Sequence, residues 1–425
     1  MLDRKFIVEN SEPVKQNCAN RGVKVDVDRF LQLETQRRAK QVEVDQLNRD
    51  ANLVSKSIGK AKDETEREAR KEEGRKLREK TAAARAELDS LLAQLDAVHR
   101  TIPNMAHPDA PVGIDDKANL ELFKGKTAKP EFDFPPLDHV ELSEKLDRVD
   151  FQGGARVAGH GFYFLRNDAV LLELALQRYA LEVLMAEGFT PTTTPDLARN
   201  DILEGIGFNP RGPETQIYSI ENTDLSLVAT AEITLGGMMA GQTIDADQLP
   251  IKLCGISHCF RTEAGAHGKA TRGLYRVHQF TKIEMFAYTL PQKSSDMLEH
   301  LRDLECRLFD GLGVPYRVVD TATGDLGGPA YRKYDLEAWM PGRNEYGEIT
   351  STSNCTDYQS RRLNIRFSKK GEKGTQLVHT LNGTAIAISR ALIAVLENYQ
   401  QADGSVVVPE VLRQFVGKER IEPVA

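Results

Sequence analysis

Residues 259–285 read CFRTEAGAHGKATRGLYRVHQFTKIEM, and this stretch decides the fold. Cys259–Glu263 reads as the end of one strand and Leu274–Met285 as a second strand. Between them, Gly265, Gly268 and Gly273 make the connection a mobile hairpin loop. Period-two alternation puts Arg276, His278, Phe280, Lys282 and Glu284 on one face of the second strand. Arg261 and Arg276 lie near the facing strands, and a guanidinium fork matches two oxygens of a phosphate. A cation, an aromatic ring and a carboxylate facing one way answer three parts of a ligand: phosphate, base and ammonium. Burying such a face without a ligand is costly. An exposed strand face laced with cross-strand ion pairs uses the same residues, so at this point both readings stand.

Working outward, short alternating strands are expected over 225–235, 251–262, 274–288, 315–320, 331–340 and 346–354. Asn167–Gly188 has the pattern of an amphipathic helix closed by Gly188, and a last long helix is expected from Thr384 to Tyr399. Few strand–helix–strand units recur at the spacing a parallel sheet needs, so the expectation is an α+β fold: an antiparallel sheet flanked by helices. Two further clusters fall on these strands. In Ala229-Thr230-Ala231-Glu232, Thr230 and Glu232 are expected on one strand face. Glu348-Ile349-Thr350-Ser351-Thr352-Ser353-Asn354 offers a carboxylate and hydroxyls that suit Mg²⁺ beside a triphosphate, or a plain Ser/Thr-rich strand. Thr384 reads as a helix N-cap. Arg390, inside an otherwise apolar helix, needs an anion: a triphosphate or an internal glutamate.

Residues 26–100 contain no proline and are rich in Lys, Arg, Glu, Ala and Leu. Phe30, Leu33, Arg37, Lys40, Val44, Leu47, Ala51, Val54 and Ile58 follow alternating steps of three and four. Leu77, Thr81, Ala84, Leu88, Leu91, Leu95, Val98 and Ile102 form a second such stripe. Ser57–Asp63, with Gly59, is the expected break, giving an antiparallel coiled-coil hairpin. At roughly 1.5 Å per residue, each arm reaches about 50 Å and projects from the body. Lys56–Lys80 holds ten basic and seven acidic residues. That fits a solvated helical face or a finger on a phosphate backbone. Residues 106–136, with several prolines, read as a linker. The expected division is therefore 1–105 arm domain, 106–136 linker and 137–425 catalytic domain.

The whole chain has 425 residues, 40% hydrophobic and 28% charged, with a net charge of -7. Such a composition excludes a disordered chain, and bulk charge does not announce a polyanion partner. No apolar run approaches membrane-spanning length, and MLDRKFIVENSEPVKQ carries no apolar leader, so a secreted or membrane protein is not expected. Five cysteines without repeated spacing fit a reducing compartment. Cys254 and Cys259 fall on opposite strand faces, which argues against one tetrahedral zinc with His258. There is no Gly-x-x-x-x-Gly-Lys-Ser/Thr loop and no GxGxxG after a strand.

The clusters taken together resemble the three motifs of class II aminoacyl-tRNA synthetases. The helix ending at Gly188, with the strand to Pro195, resembles motif 1. Arg261-Thr262-Glu263, its loop and the strand to Glu284 resemble motif 2, and Gly383–Leu396 with Arg390 resembles motif 3. Within the class, TAE, CFRTEAG, TRGLYRVHQFTKIEM, EITSTSN and LVHTLNGTAIAISR, with the N-terminal arm, resemble the bacterial-type seryl-tRNA synthetase family over the whole chain. The chain departs from the family's commoner serines at Thr262, Thr350 and Thr384, each of which keeps a hydroxyl.

The resemblance implies activation of L-serine by ATP and transfer to tRNA(Ser), and to tRNA(Sec) where the organism has one. It implies Arg261, Glu284 and Arg390 as catalytic. Serine is implied to meet Thr230, Ala231, Glu232, Arg261, Glu284, Asn382 and Thr384. ATP is implied to meet Arg261, Thr262, Glu263, Val277, Phe280, Glu348, Ile349, Thr350, Ser351 and Arg390, with Glu348 and Ser351 holding Mg²⁺. A cytoplasmic homodimer, paired through motif 1, is implied as well. Two other functions are compatible with parts of this pattern: an amino acid–carrier-protein ligase, which lacks the arm, and a non-catalytic coiled-coil interaction protein, which would have lost Arg261, Glu284 or Arg390.

Overall fold

A computed structural model describes residues 1–209, 215–264 and 273–424. Most of the loop expected between Glu263 and Leu274 therefore lies outside the described residues. The chain divides into two units, Met1–Pro103 and Asn104–Ala425.

In the first unit, two long helices, Val27–Ile58 and Glu64–His99, follow two short ones. Asp26 and Asp63 cap them, their side chains accepting from the backbone N–H of Arg29 and Glu66. The helices run antiparallel: Arg29 meets Gln94 at 3.1 Å, Lys40 meets Glu87 at 2.6 Å, and Arg70 reaches the Ser57 carbonyl. The seam follows the expected stripes. Phe30, Leu33 and Val44 on one helix, and Ala84, Leu88 and Leu95 on the other, are buried. The charged stripe positions are accommodated by pairing. Arg37 binds the buried Glu34 at 2.8 Å, and Lys40 lays its stem along the seam with its ammonium at Glu43 and Glu87.

The second unit is built on an eight-stranded sheet. Its order is Leu120–Lys124, Tyr316–Asp320, Arg332–Met340, Glu345–Thr356, His379–Ala387, Gln279–Thr289, Ile251–Phe260 and Thr190–Thr193. Every neighbouring pair is antiparallel except the last, where Thr190–Thr193 runs parallel to Ile251–Phe260. The segment read as a linker contributes the edge strand Leu120–Lys124. Helices Asp168–Ala186, Ser294–Leu312 and Ile388–Asn398 supply the main core with one sheet face. The first ends as expected. Gly188 takes φ 80, and the Phe189 N–H returns to the Leu184 carbonyl at 3.0 Å.

Strand Gln279–Thr289 shows how the sheet divides its duties. Ile283, Met285 and Ala287 join the helix-side core. Phe286 and Tyr288 point the other way into a second core with Ile206, Ile233 and Leu235. Phe280, Lys282 and Glu284 share that second face and line a pocket.

Three expectations need correction. The strand over 225–235 is instead a short strand, Leu225–Leu227, followed by helix Ala231–Gly237. Thr230 is the N-cap of that helix, its hydroxyl accepting from the Glu232 N–H, and this capping chemistry overrides local strand propensity. Thr384 is no helix cap. It lies in strand His379–Ala387, and the helix begins at Ile388. Its neighbours are held by sheet pairing, with a bulge between Thr384 and Ile386. The strand expected from 274 begins at Gln279, so Arg276 and His278 precede it and the alternation holds only from Phe280 onward. Among the described residues no helix is long and apolar enough to cross a membrane.

Candidate active site

The pocket opens on the sheet face opposite the main helix layer and holds two chemically different ends. Its lining takes in Thr230, Glu232, Arg261, Glu263, Val277, Phe280, Glu284, Glu348, Ile349, Thr350, Ser351, Asn382, Thr384 and Arg390. These were singled out in the sequence across a span from 230 to 390, and the sheet brings them together. Two others stand outside the lining. Ala231 is buried beneath it, and the Thr262 hydroxyl turns away to donate to the Thr215 carbonyl at 2.5 Å.

One end is a network of acids, an ammonium and hydroxyls. Glu284 and Lys282 are both buried and 2.5 Å apart. The Lys282 ammonium donates to the Thr384 hydroxyl at 3.3 Å, and that hydroxyl donates to Glu284 at 3.3 Å. Asn382 and Thr384, two apart on one strand, face the same side. Gly383 between them faces the neighbouring strand closely: a Cβ there would sit 2.8 Å from the Thr352 hydroxyl. Glu232 accepts from Asn382 at 2.9 Å and from Gln359 at 2.7 Å. Burial, and then the charge of Glu284, push the Glu232 carboxyl up to about 7. A ligand ammonium placed here would favour its ionised form.

The other end is cationic and aromatic. Arg390 donates to the Glu348 carbonyl at 2.7 Å and stands 3.4 Å from its carboxylate. Of the two anions its position in the helix allowed, the internal glutamate is the partner present. Burial raises the Glu348 carboxyl, but Arg390, Lys333 and Arg261 outweigh it and hold the group well below the usual carboxylate range. The Arg261 guanidinium lies 5.4 Å from the Phe280 ring centroid, and its Nε donates to the Ala229 carbonyl at 3.3 Å. Phe280 packs with Val277, Cys259 and Ala387, a flat apolar wall of the kind a purine stacks on. Glu263 takes φ 50, a sparsely populated backbone for a non-glycine residue, and meets Arg276 at 3.3 Å on the rim.

His278, expected on the ligand face, instead bridges the Arg261 carbonyl at 2.8 Å and the Tyr218 hydroxyl at 3.0 Å. Lys282 was visible in the alternation without an assigned role. Tyr275, Phe208 and Ser389 were missed as lining residues. Gln359, which holds Glu232, carries no sequence signal because it arrives from helix Tyr358–Leu363.

The comparisons with known proteins follow this geometry. Residues 216–399 match the tRNA synthetase class II core domain (G, H, P, S and T), and this defines the class. Residues 1–106 match the seryl-tRNA synthetase N-terminal domain. The chain is 62% identical over 420 residues to the serine–tRNA ligase of Rhodopirellula baltica, covering 98% of each. It matches the crystal structure of seryl-tRNA synthetase from Pyrococcus horikoshii complexed with ATP over 100% of both chains, at 40% identity and TM-score 0.92. The cytoplasmic serine–tRNA ligase of Naegleria fowleri in complex with AMP matches at 33% identity and TM-score 0.86, covering 100% of this chain and 99% of that one. The chain belongs to the serine–tRNA ligase family, enzymes that join serine to tRNA.

Proposed function

We propose that this chain activates L-serine with ATP and passes it to tRNA(Ser), and to tRNA(Sec) where the host makes one. The pocket's two-ended chemistry carries this reading: Glu232, Glu284, Lys282, Asn382 and Thr384 at one end, Arg261, Arg390, Phe280 and Glu348 at the other. Glu232 receives the serine ammonium, with Thr230 beside it, and Glu284 and Thr384 bond the serine hydroxyl. Phe280 and Val277 receive adenine. Arg261 bridges the serine carboxylate and the α-phosphate, and Arg390 turns from Glu348 to the γ-phosphate.

The serine carboxylate oxygen attacks the α-phosphorus, forming seryl-adenylate and releasing pyrophosphate. A hydroxyl of the tRNA 3′-terminal ribose then attacks the activated carbonyl, and AMP leaves. No protein nucleophile is required; orientation and charge neutralisation supply the rate. The all-oxygen donor pair of Glu348 and Ser351 suits Mg²⁺, whose remaining ligands would be phosphate oxygens and water. That ion would supply neutralisation of phosphate charge.

A homodimer is supported by apolar side chains left exposed on helix Asp168–Ala186, Val170, Leu171 and Leu174, with Val157 and Phe164 nearby in sequence. A tRNA substrate supports a cytoplasmic location. The carrier-protein ligase reading is disfavoured by the full N-terminal domain. Attachment of labelled serine to total bacterial tRNA, with ATP and Mg²⁺, tests the reading beside alanine and threonine. Label from serine alone is the expected result. Serine-dependent pyrophosphate exchange without charging would instead favour the carrier-protein ligase.

A further inference from the structure

His139 and Glu397 form a buried pair that no step above uses. His139 opens helix His139–Leu146, and Glu397 lies near the end of helix Ile388–Asn398, two turns beyond Arg390. The His139 Nδ1–H donates to Glu397 Oε1 at 2.9 Å, and the same oxygen accepts the His139 backbone N–H at 2.9 Å. Glu397 Oε2 accepts the Gly342 N–H at 2.9 Å. The far side of the ring, Nε2, accepts the Leu274 N–H at 3.1 Å. These partners fix one tautomer, with the proton on Nδ1 and a lone pair on Nε2.

Leu274 is the residue from which the chain runs into the ATP end of the pocket. Its neighbour Tyr275 lines that pocket. The Tyr275 carbonyl accepts from Arg390 Nε at 3.5 Å, and the Arg390 guanidinium lies 4.7 Å from its ring centroid. The Tyr275 hydroxyl donates to the Glu348 carbonyl at 3.4 Å. Gly273 stands against the imidazole. It takes φ 82, and a Cβ there would fall 2.0 Å from His139 Nε2. The helix that carries Arg390 thus holds this segment twice, through Arg390 on Tyr275 and through Glu397 and His139 on Leu274.

We infer that His139 is a positioning residue for ATP: its Nε2 sets the Leu274–Val277 segment against Arg390, so that the adenine wall and the γ-phosphate cation keep their spacing. This rests on the proposed reading of the pocket. The test uses the full chain and measures serine-dependent pyrophosphate exchange, with KM for ATP and for serine taken separately. His139→Asn keeps a donor for Glu397 and loses the acceptor for Leu274; His139→Gln extends an acceptor to Leu274.

The expected result is an ATP KM raised about tenfold in His139→Asn, from one buried N–H left without a partner. The serine KM should stay within about twofold, and His139→Gln should recover most of the ATP affinity. Gly273→Ala, which crowds the same nitrogen, should reproduce the ATP-selective defect and serves if His139→Asn does not fold. An unchanged ATP KM in the folded His139→Asn or Gly273→Ala chain overturns the inference. So does a parallel rise of both KM values in His139→Asn and His139→Gln, the mark of general loosening. Absence of serine-dependent exchange in the unaltered chain overturns instead the reading on which it rests.

Discussion

Glu232 and Glu284 share one end of the pocket with the buried Lys282 ammonium, and their environments are unequal. Glu284 has Lys282 at 2.5 Å, whereas Glu232 accepts from the neutral amides of Gln359 and Asn382. Removing the Glu284 carboxylate strips the buried Lys282 of its counter-charge and the Thr384 hydroxyl of its acceptor. Glu284→Ala should therefore raise the serine KM by about tenfold or more in pyrophosphate exchange while ATP binding changes little. Native serine kinetics in that variant would refute the assignment.

Glu232 is predicted to leave a pH signature. Its folded pKa, about 7, lies above the ordinary carboxylate value, because burial and Glu284 disfavour the charge. The folded state thus holds the proton more tightly than the unfolded chain. That contribution to stability is full below the ordinary carboxylate pKa and is lost as pH rises through about 7. The ligand-free melting temperature should fall between pH 5 and 8 relative to Glu232→Gln, about the window set by the two pKa values. Thermal scans of both chains across that range, without serine, check it. A parallel pH dependence in both would refute it.

At the scale of elements, the long arm helices were legible because nothing in them competes with the stripe: no proline, one break, and acids at both starts. The seam that formed is thin, with Val44, Ala84 and Leu88 at its middle and Leu47 and Leu92 partly covering them. Leu88→Ala should cost the arm about 2–3 kcal/mol, read as earlier loss of helical signal on heating. An unchanged melt would mean that the seam does not hold the arm. Most sheet strands with a core-facing side were legible, but the central strand His379–Ala387 was not, although Leu381, Ala385 and Ile386 on it enter the main core. The failures lie where a residue's backbone role and its chemical role differ. Thr230 reads as a strand residue by propensity but acts as a cap. Thr384 reads as a cap by its place before an apolar helix but is held in the sheet by pairing with Glu284. In both, the chemistry was visible in the side chain while the backbone state depended on neighbours far away in sequence. Gln359 and Tyr275 show the limit from the other direction, since only the folded contacts give them a part in the site.

For the whole molecule, the two units invite separate tests. Deleting Val27–Val98 should leave serine-dependent pyrophosphate exchange near its native rate and abolish charging of tRNA. The arm carries the local basic excess, and every residue lining the pocket lies in the second unit. Full-rate charging by the truncated chain would remove the arm from tRNA recognition. The exposed apolar side chains of Asp168–Ala186 give a second test, by light scattering: a mass twice the 47.4 kDa of one chain, lowered by Leu174→Asp.

The alternation along Gln279–Thr289 also bears on how this enzyme can change over generations. Ile283, Met285 and Ala287 there face the helix-side core, and the even-numbered positions from Phe280 to Tyr288 face the pocket or the second core. A point substitution at Phe280, Lys282 or Glu284 alters the pocket wall while Ile283, Met285 and Ala287 keep their places in the core. A one-residue insertion or deletion exchanges the two sets at a stroke, sending charge into oil and oil into the pocket. The strand therefore has a reading parity of its own: its lineage can drift in spelling, but not in length.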